Sequence, residues 1–240
     1  MHYVQNMQKG YPPNSVQGAC KMINYHLSIN MAITLDGKTA RPDGKWYGLC
    51  SPTDRTRMDE LRAGADCVII GKNSVIFDDP VVKLKYFQGN DPRPVMIVRS
   101  SGLPADRHIF KDFTDIKDRP LVFCTRSNME LMKESLSQKA EIVSLGNDDI
   151  EPEDVIAYLS ENGMKNILLE GGPRLNHAFL SRNLVHRINL TIVPYIIGQR
   201  TLPAFVDGDL PFSQFDQQKW NLVQSRQIEN ELFLIYDKID

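Results

Sequence analysis

The stretch Ile167–Leu175, Ile-Leu-Leu-Glu-Gly-Gly-Pro-Arg-Leu, joins a carboxylate to two glycines where an apolar run meets a helix. Asn166–Leu169 suits a buried strand, and Leu175, Ala178 and Phe179 follow at the spacing of one helix face. A strand that ends in Gly-Gly and opens a helix offers bare backbone N–H groups and a positive dipole end, a seat for phosphate. Glu170 stands at the carboxyl end of that strand, where an open α/β sheet meets its ligand. The spacing is not the dinucleotide fingerprint, since Gly-x-Gly-x-x-Gly occurs nowhere in the chain.

Other strand-end turns carry similar chemistry. Gly71-Lys72-Asn73-Ser74, Arg99-Ser100-Ser101-Gly102 and Thr125-Arg126-Ser127 each follow an apolar run with small residues, hydroxyls and a cation. Together with Glu170-Gly171-Gly172 they outline a groove for a phosphate-rich ligand such as a nucleotide. Arginine is a planar fork suited to a phosphate monoester, which marks Arg99 and Arg126 for a 2′-phosphate.

Metal and nucleophile chemistry find little support. The five histidines are scattered, and none pairs at helical spacing with another ligand type. His26 sits in an apolar run and reads as a structural histidine. The four cysteines form no Cys-x-x-Cys pair, which argues reduced thiols in a cytoplasmic protein. Asp78-Asp79 before Pro80 reads as a capped, solvated turn. A net charge of −2 gives no field to draw nucleic acid or membrane, so anionic ligands must meet local cations. No apolar run approaches the ~20 residues that span a bilayer.

The elements that must position these residues alternate. Strands are expected at Asn24–Thr34, Cys67–Ile70, Val95–Val98, Leu121–Cys124, Ile142–Leu145, Asn166–Leu169 and Arg187–Pro194. Helices are expected from Pro52, with Ser51 as N-cap, to near Gly64, and at Met129–Gln138 and Glu153–Asn162. Two final strands, near Trp220–Gln227 and Glu231–Asp237, have no helix between them and should form an antiparallel edge. The pattern is α/β: a mostly parallel central sheet with helices on both faces. Residues 23–240 read as one domain, and 1–22 as a poorly ordered arm with no apolar core of a signal peptide.

Thr34-Leu35-Asp36-Gly37-Lys38-Thr39-Ala40, the segment ending Leu61-Arg62-Ala63, Val68–Pro80, Leu168–Leu175 and Val193-Pro194…Ile197-Gly198 resemble, in order, the signatures of the pyrimidine reductases of riboflavin biosynthesis. The resemblance runs from about Asn24 to Asp237. It implies a dihydrofolate-reductase-like fold, NADPH as cofactor, a homodimer, and reduction of the ribosyl group of a ribosylaminopyrimidinone 5′-phosphate to ribityl. Carried over by position, it puts Ala32, Ser74, Asp78, Ser100, Gly171, Gly172, Pro173, Arg174 and Leu175 against NADPH. It puts Asn30, Thr34, Arg62 and Glu170 against substrate, with Asn30 and Glu170 as catalytic residues and no metal. Asn30 stands where the bifunctional bacterial enzymes carry lysine and the free-standing archaeal type carries asparagine. The zinc deaminase half is missing, Val81-Val82 replaces the usual Leu-Thr, and Arg99 stands where aspartate is common. A reductase of the same fold acting on a dihydropterin or another carbonyl compound, and a catalytically silent nucleotide binder, are the competing readings. On the first reading Asn30 donates to the atom that gains charge, and Asp36 shapes its Asp-Gly turn.

Overall fold

The computed structural model describes residues 24–46, 49–111, 113, 118–136, 138–213 and 219–239; the expected arm at 1–22 lies outside them. Among the described residues nine strands form one sheet in the order β5-β4-β3-β2-β6-β1-β7-β9-β8. They are β1 (His26–Thr34), β2 (Cys67–Gly71), β3 (Arg93–Val98), β4 (Leu121–Cys124), β5 (Glu141–Ser144), β6 (Asn166–Leu169), β7 (Arg187–Val193), β8 (Trp220–Ile228) and β9 (Glu231–Lys238). The pairs from β5 through β7 are parallel, and β7–β9 and β9–β8 are antiparallel. Helices α1 (Pro52–Ala63), α2 (Lys72–Phe77), α3 (Met129–Leu136), α4 (Pro152–Glu161) and α5 (Pro173–Ser181) supply the crossovers.

The strands are apolar on both sides because both sheet faces are covered. Along β2, Cys67 and Ile69 enter one core with Val155, Ile156 and Leu159 of α4 and Phe179 of α5. Val68 and Ile70 enter the other with Val75 of α2 and Met132 and Leu136 of α3. This period of two is what parallel strands between helical layers require. Phe123 of β4 is fully buried in the first core and meets Tyr158 of α4 edge-to-face at 5.2 Å.

The expected strand and helix positions are observed to within a few residues, with one difference in kind. The turn read at Gly71-Lys72-Asn73-Ser74 is the start of a short helix, α2, entered directly from β2. Ser51 caps α1 as expected: its Oγ accepts from Asp54 N at 3.1 Å, and Pro52 opens the helix.

Parallel strands all end at one edge of the sheet, so the turns after β2, β3, β4, β6, β1 and β7 share that edge. From β2 the chain goes on to β3 on one side; from β6 it goes on to β7 on the other. The divergence leaves a crevice between the carboxyl ends of β2 and β6, where ligands of open α/β sheets bind. Truncating the core that holds these strands should be costly. Phe123→Ala is expected to lose about 3–5 kcal/mol of stability, read as a lower urea midpoint at unchanged m.

Candidate active site

The crevice is built of backbone. Gly71, the last residue of β2, donates its N–H to Gly171 O at 2.6 Å. A β-carbon on Gly71 would lie 2.9 Å from Gly172 N and 3.2 Å from Gly171 O, so only glycine fits. Gly171 has φ +76, in the left-handed region, and a β-carbon there would press on the Met31 side chain at 3.1 Å. The Gly171–Gly172 peptide is cis. Gly172 is the N-cap of α5 with no side-chain cap, and nothing lies within 4 Å of where its β-carbon would be. Pro173 has no N–H, and Leu175 N and Asn176 N donate back to Gly172 O at 2.9 and 3.1 Å, so the free space at Gly172 borders the Arg174 N–H. Arg174 reaches Asp209 at 3.4 Å, and Leu175 packs against the first core.

Glu170 does not cap α5. Both of its oxygens accept from Arg62, at 2.7 Å from Nε and 2.7 Å from Nη2. The side chains are 4% and 12% exposed, so this bidentate pair is nearly buried. Arg62 Nη1 also donates to Val81 O at 3.0 Å and lies 3.8 Å from Asp59 Oδ1. Asp59 Oδ2 in turn accepts from Lys85 N and Tyr86 N, each at 2.7 Å. Burial alone would lower the Arg62 pKa; the charge and hydrogen bonds of Glu170 outweigh it and hold Arg62 above its ordinary value. The two residues expected to face substrate thus meet each other first, and with Asp59 they tether residues 81–86 to α1.

Beside Glu170 the sheet presents polar side chains to α1. Asn30 pairs with Asn189 and Ala32 with Thr191 across the β1–β7 ladder, so all four project from one face. Thr191 is fully buried; its hydroxyl donates to Asp54 Oδ1 at 2.6 Å and accepts from Arg57 Nη1 at 3.1 Å. Asn189 Nδ2 donates to Ile29 O at 3.2 Å, while its Oδ1 is buried with no partner among the described residues. Helix α1 carries Met58 and Leu61, yet Asp54, Asp59 and Arg62 are its buried residues. Apolar residues are too few in Pro52–Ala63 to define an inward stripe. Asp54, Asp59, Arg57 and Thr191 were not singled out in the sequence, although Asp54 with Arg57 and Asp59 with Arg62 each stand at the i, i+3 spacing of a helix face.

Thr34 and Asp36 close the β1 end. Thr34 is fully buried; its hydroxyl donates to Asp36 Oδ1 at 2.6 Å and accepts from Lys38 N at 2.9 Å. Asp36 also accepts from Ile197 N and Gly198 N, at 3.2 and 2.7 Å. These donors, the Thr34 hydroxyl foremost, pull the Asp36 carboxyl down to about 2. Asp36 therefore shapes its turn, as expected, and also fastens the turn after β7.

On the β2–β3–β4 side, Ser74 lies in α2 and its carbonyl accepts from Asp78 N; Asp78 Oδ1 accepts from Trp46 N at 3.4 Å. Lys72 Nζ donates to Ser101 Oγ at 2.7 Å and to Ser100 O at 3.4 Å. Arg99 forms an ion pair with Asp149. Arg126 is exposed and makes no side-chain ion pair among the described residues. Of the two arginines marked for a phosphate monoester, Arg126 is the one left available. Groups of His, Cys, Asp and Glu that could hold a metal are absent among the described residues.

Two measurements check this geometry. Arg62→Met strands a nearly buried carboxylate and is expected to cost about 3–5 kcal/mol, most of it recovered in Arg62→Met/Glu170→Leu, in a double-mutant unfolding cycle. The Asp36 carboxyl should titrate near 2 by NMR, below its unfolded value of 3.8. Its contribution to stability is then complete above 3.8 and is lost as pH falls toward 2; Thr34→Ala should raise the titration midpoint.

Comparison with known proteins follows the same residues. The chain matches the family described as the RibD C-terminal domain over residues 25–234. It is 30% identical over 203 residues to the chloroplastic riboflavin biosynthesis protein PYRR of Arabidopsis thaliana, covering 84% of this chain and 33% of that protein. It is 28% identical over 194 residues to the 2,5-diamino-6-ribosylamino-4(3H)-pyrimidinone 5′-phosphate reductase of Archaeoglobus fulgidus, covering 77% and 87%. The chain thus spans a third of the plant relative and most of the archaeal one. Among solved structures it superposes on a pyrimidine reductase-like protein of Corynebacterium diphtheriae with a TM-score of 0.76 at 21% identity, covering 91% and 94%. With 25–234 of its 240 residues matched, the chain belongs to the RibD C-terminal domain family.

Proposed function

We propose that this chain reduces the ribosyl group of a ribosylaminopyrimidinone 5′-phosphate to ribityl, with NADPH as reductant. The observation that carries the reading is the glycine-lined crevice between β2 and β6, set beside the polar floor of Asn30, Asn189 and Thr191. The free space at Gly172 and the uncapped α5 terminus suit the pyrophosphate of a dinucleotide. The relatives named for the pyrimidine phosphate favour this substrate over a dihydropterin.

The coenzyme, when bound, supplies a hydride to C1 of the opened ribosylamine. Ring opening breaks the C1–O bond, leaving the former ring oxygen as the C4 hydroxyl and a C1=N imine; hydride at C1 and a proton at nitrogen then make that bond single. What the protein contributes is positioning, worth up to about 7–11 kcal/mol in well-oriented systems. Asn30 donates from its amide to the atom that gains electron density. Glu170, fixed by Arg62, offers its remaining lone pairs to a sugar hydroxyl or to pyrimidine amino groups. On this reading Ala32, Ser74, Asp78 and Ser100 would hold the coenzyme, and Thr34, buried and bonded to Asp36, would close the substrate side of the floor.

Preference for NADPH rests on Arg126 and Lys72, cations at the carboxyl ends of β4 and β2 beside Ser100 and Ser101. A homodimer is supported by β8, an edge strand exposed on both faces along most of its length, with Leu222 and Val223 each 47% exposed. A cytoplasmic setting is supported by free Cys50, Cys67 and Cys124; no helix of the described residues is long and apolar enough to cross a membrane.

Purified protein should consume NADPH only when the pyrimidine phosphate is added, followed by loss of nicotinamide absorbance. Arg126→Ala should raise KM for NADPH about tenfold or more while leaving KM for NADH nearly unchanged, as loss of one charged phosphate contact implies. Turnover of NADPH without the pyrimidine, or an equal change for both coenzymes, would contradict the reading.

A further inference from the structure

We infer that Asp59 is a positioning residue of the reductase site: through residues 81–86 and Arg62 it holds Glu170 in the orientation that meets substrate. This rests on the reductase reading above and adds to it a residue that acts only through others.

Asp59 is 1% exposed and stands one helical turn before Arg62. Its Oδ2 accepts from two successive backbone N–H groups, those of Lys85 and Tyr86, and its Oδ1 faces Arg62 Nη1 at 3.8 Å. The N–H just before them, of Leu84, goes to Asp91 Oδ1 at 2.8 Å. Three consecutive backbone donors are thus taken by carboxylates, one from the helix and one from the loop itself. At the other end of the segment Val81 O accepts from Arg62 Nη1, while Nε and Nη2 of the same guanidinium hold Glu170. The guanidinium is a planar, rigid fork. One arm lies on the segment and two on the carboxylate, so neither can shift without turning the other.

Packing does little to keep the segment in place. Of residues 81–87 only Val82 is buried. A cavity of about 670 Å³ adjoins it, lined in part by Val81, Val82, Lys83, Asn90 and Asp91. A segment with room beside it is kept in register by its hydrogen bonds. A buried carboxylate is a poor choice for stability alone, because its desolvation offsets most of what its partners return. Loss of Asp59 would free the Lys85 and Tyr86 N–H groups and let the segment relax toward the cavity. Val81 O would then leave Nη1, and the guanidinium would turn with Glu170 on it. The coenzyme side would stay as it is: Gly71, Gly171 and Gly172 hold one another, and Ser74 and Asp78 belong to α2 and its C-cap.

The test is turnover of the pyrimidine phosphate at saturating NADPH, per folded molecule, beside the Kd for NADPH from fluorescence titration. Asp59→Ala should lower kcat/KM for the pyrimidine about a hundredfold, mostly in kcat, with the Kd for NADPH unchanged. Asp59→Asn keeps an oxygen that accepts from both N–H groups, and should recover to within about tenfold of the unmodified chain. Asp91→Ala, at an exposed position, loosens the same segment from the Leu84 side. It should lose about fivefold in kcat/KM, and serves where Asp59→Ala does not fold. The assignment is overturned, and the reductase reading left standing, if Asp59→Ala keeps its kcat/KM or if the Asn and Ala variants fall equally. A matching loss of NADPH affinity does the same, as does an unchanged kcat/KM in Asp91→Ala where Asp59→Ala does not fold. No turnover by the unmodified chain overturns both.

Discussion

Two backbones meet where the sheet changes direction: Gly71 N–H reaches Gly171 O at 2.6 Å, with no room for a β-carbon on Gly71. That contact is an extension of the β2–β6 ladder beyond Ile69 and Leu169, and it carries the pairing up to the first turn of α5. Because it holds the end of β2 against the start of a helix, the α5 N–H groups and the entry to α2 lie side by side. The crevice follows from topology; its narrowness follows from glycine. Any larger residue at Gly71 would have to push β2 and β6 apart at the point where their loops diverge.

The next constraint is electrostatic. Helix α1 lacks an apolar stripe and buries Asp54, Asp59 and Arg62 instead. Buried charges are costly unless paired and hydrogen-bonded. Each of these is: Arg62 by Glu170, Val81 O and Asp59; Asp59 by two backbone N–H groups; Asp54 by Thr191. Such pairing stabilises little against a hydrophobic alternative, so stability alone does not account for α1. The arrangement does fix the 81–86 segment and Glu170 in one frame, and it gives the layer between α1 and the sheet to polar side chains. A helix chosen only for packing would have filled that space with leucine.

Much of this was legible in the sequence. Strand and helix spacing, the Ser51 cap and the antiparallel edge could be read because each follows from local periodicity or cap chemistry. The glycine pair could be read as the joint between a strand and a helix, because Gly-Gly before Pro ends the one and opens the other. The partnerships could not. Glu170 and Arg62 lie 108 positions apart, and nothing local distinguishes a carboxylate aimed at substrate from one aimed at a guanidinium. Arg99 and Arg126 looked equivalent until Asp149 took the first as its partner. Thr191 sat inside a strongly β run, where a threonine ordinarily needs no further account.

Placed along the sheet edge, the charges form a sequence. Lys72 and Arg126 lie at the ends of β2 and β4; Arg62 and Glu170 cancel one another beside β6; Asp54 lies over β7 with its hydroxyl brace. An extended ligand lying across these strands meets cations first, then a neutral pair, then a carboxylate. Phosphate at the β7 end would meet the Asp54 carboxylate in place of Lys72 and Arg126, so the row of charges distinguishes its two ends. Orientation of this kind asks little motion of the protein, since Lys72, Arg62, Glu170 and Asp54 are each already held by a partner. The neutral centre matters as much as the charged ends. If Arg62 were free, its charge would compete with Lys72 and Arg126 for phosphate, and the long axis of the groove would lose its polarity. The Arg62–Glu170 pair thus gives the row its polarity by withholding a charge from its middle.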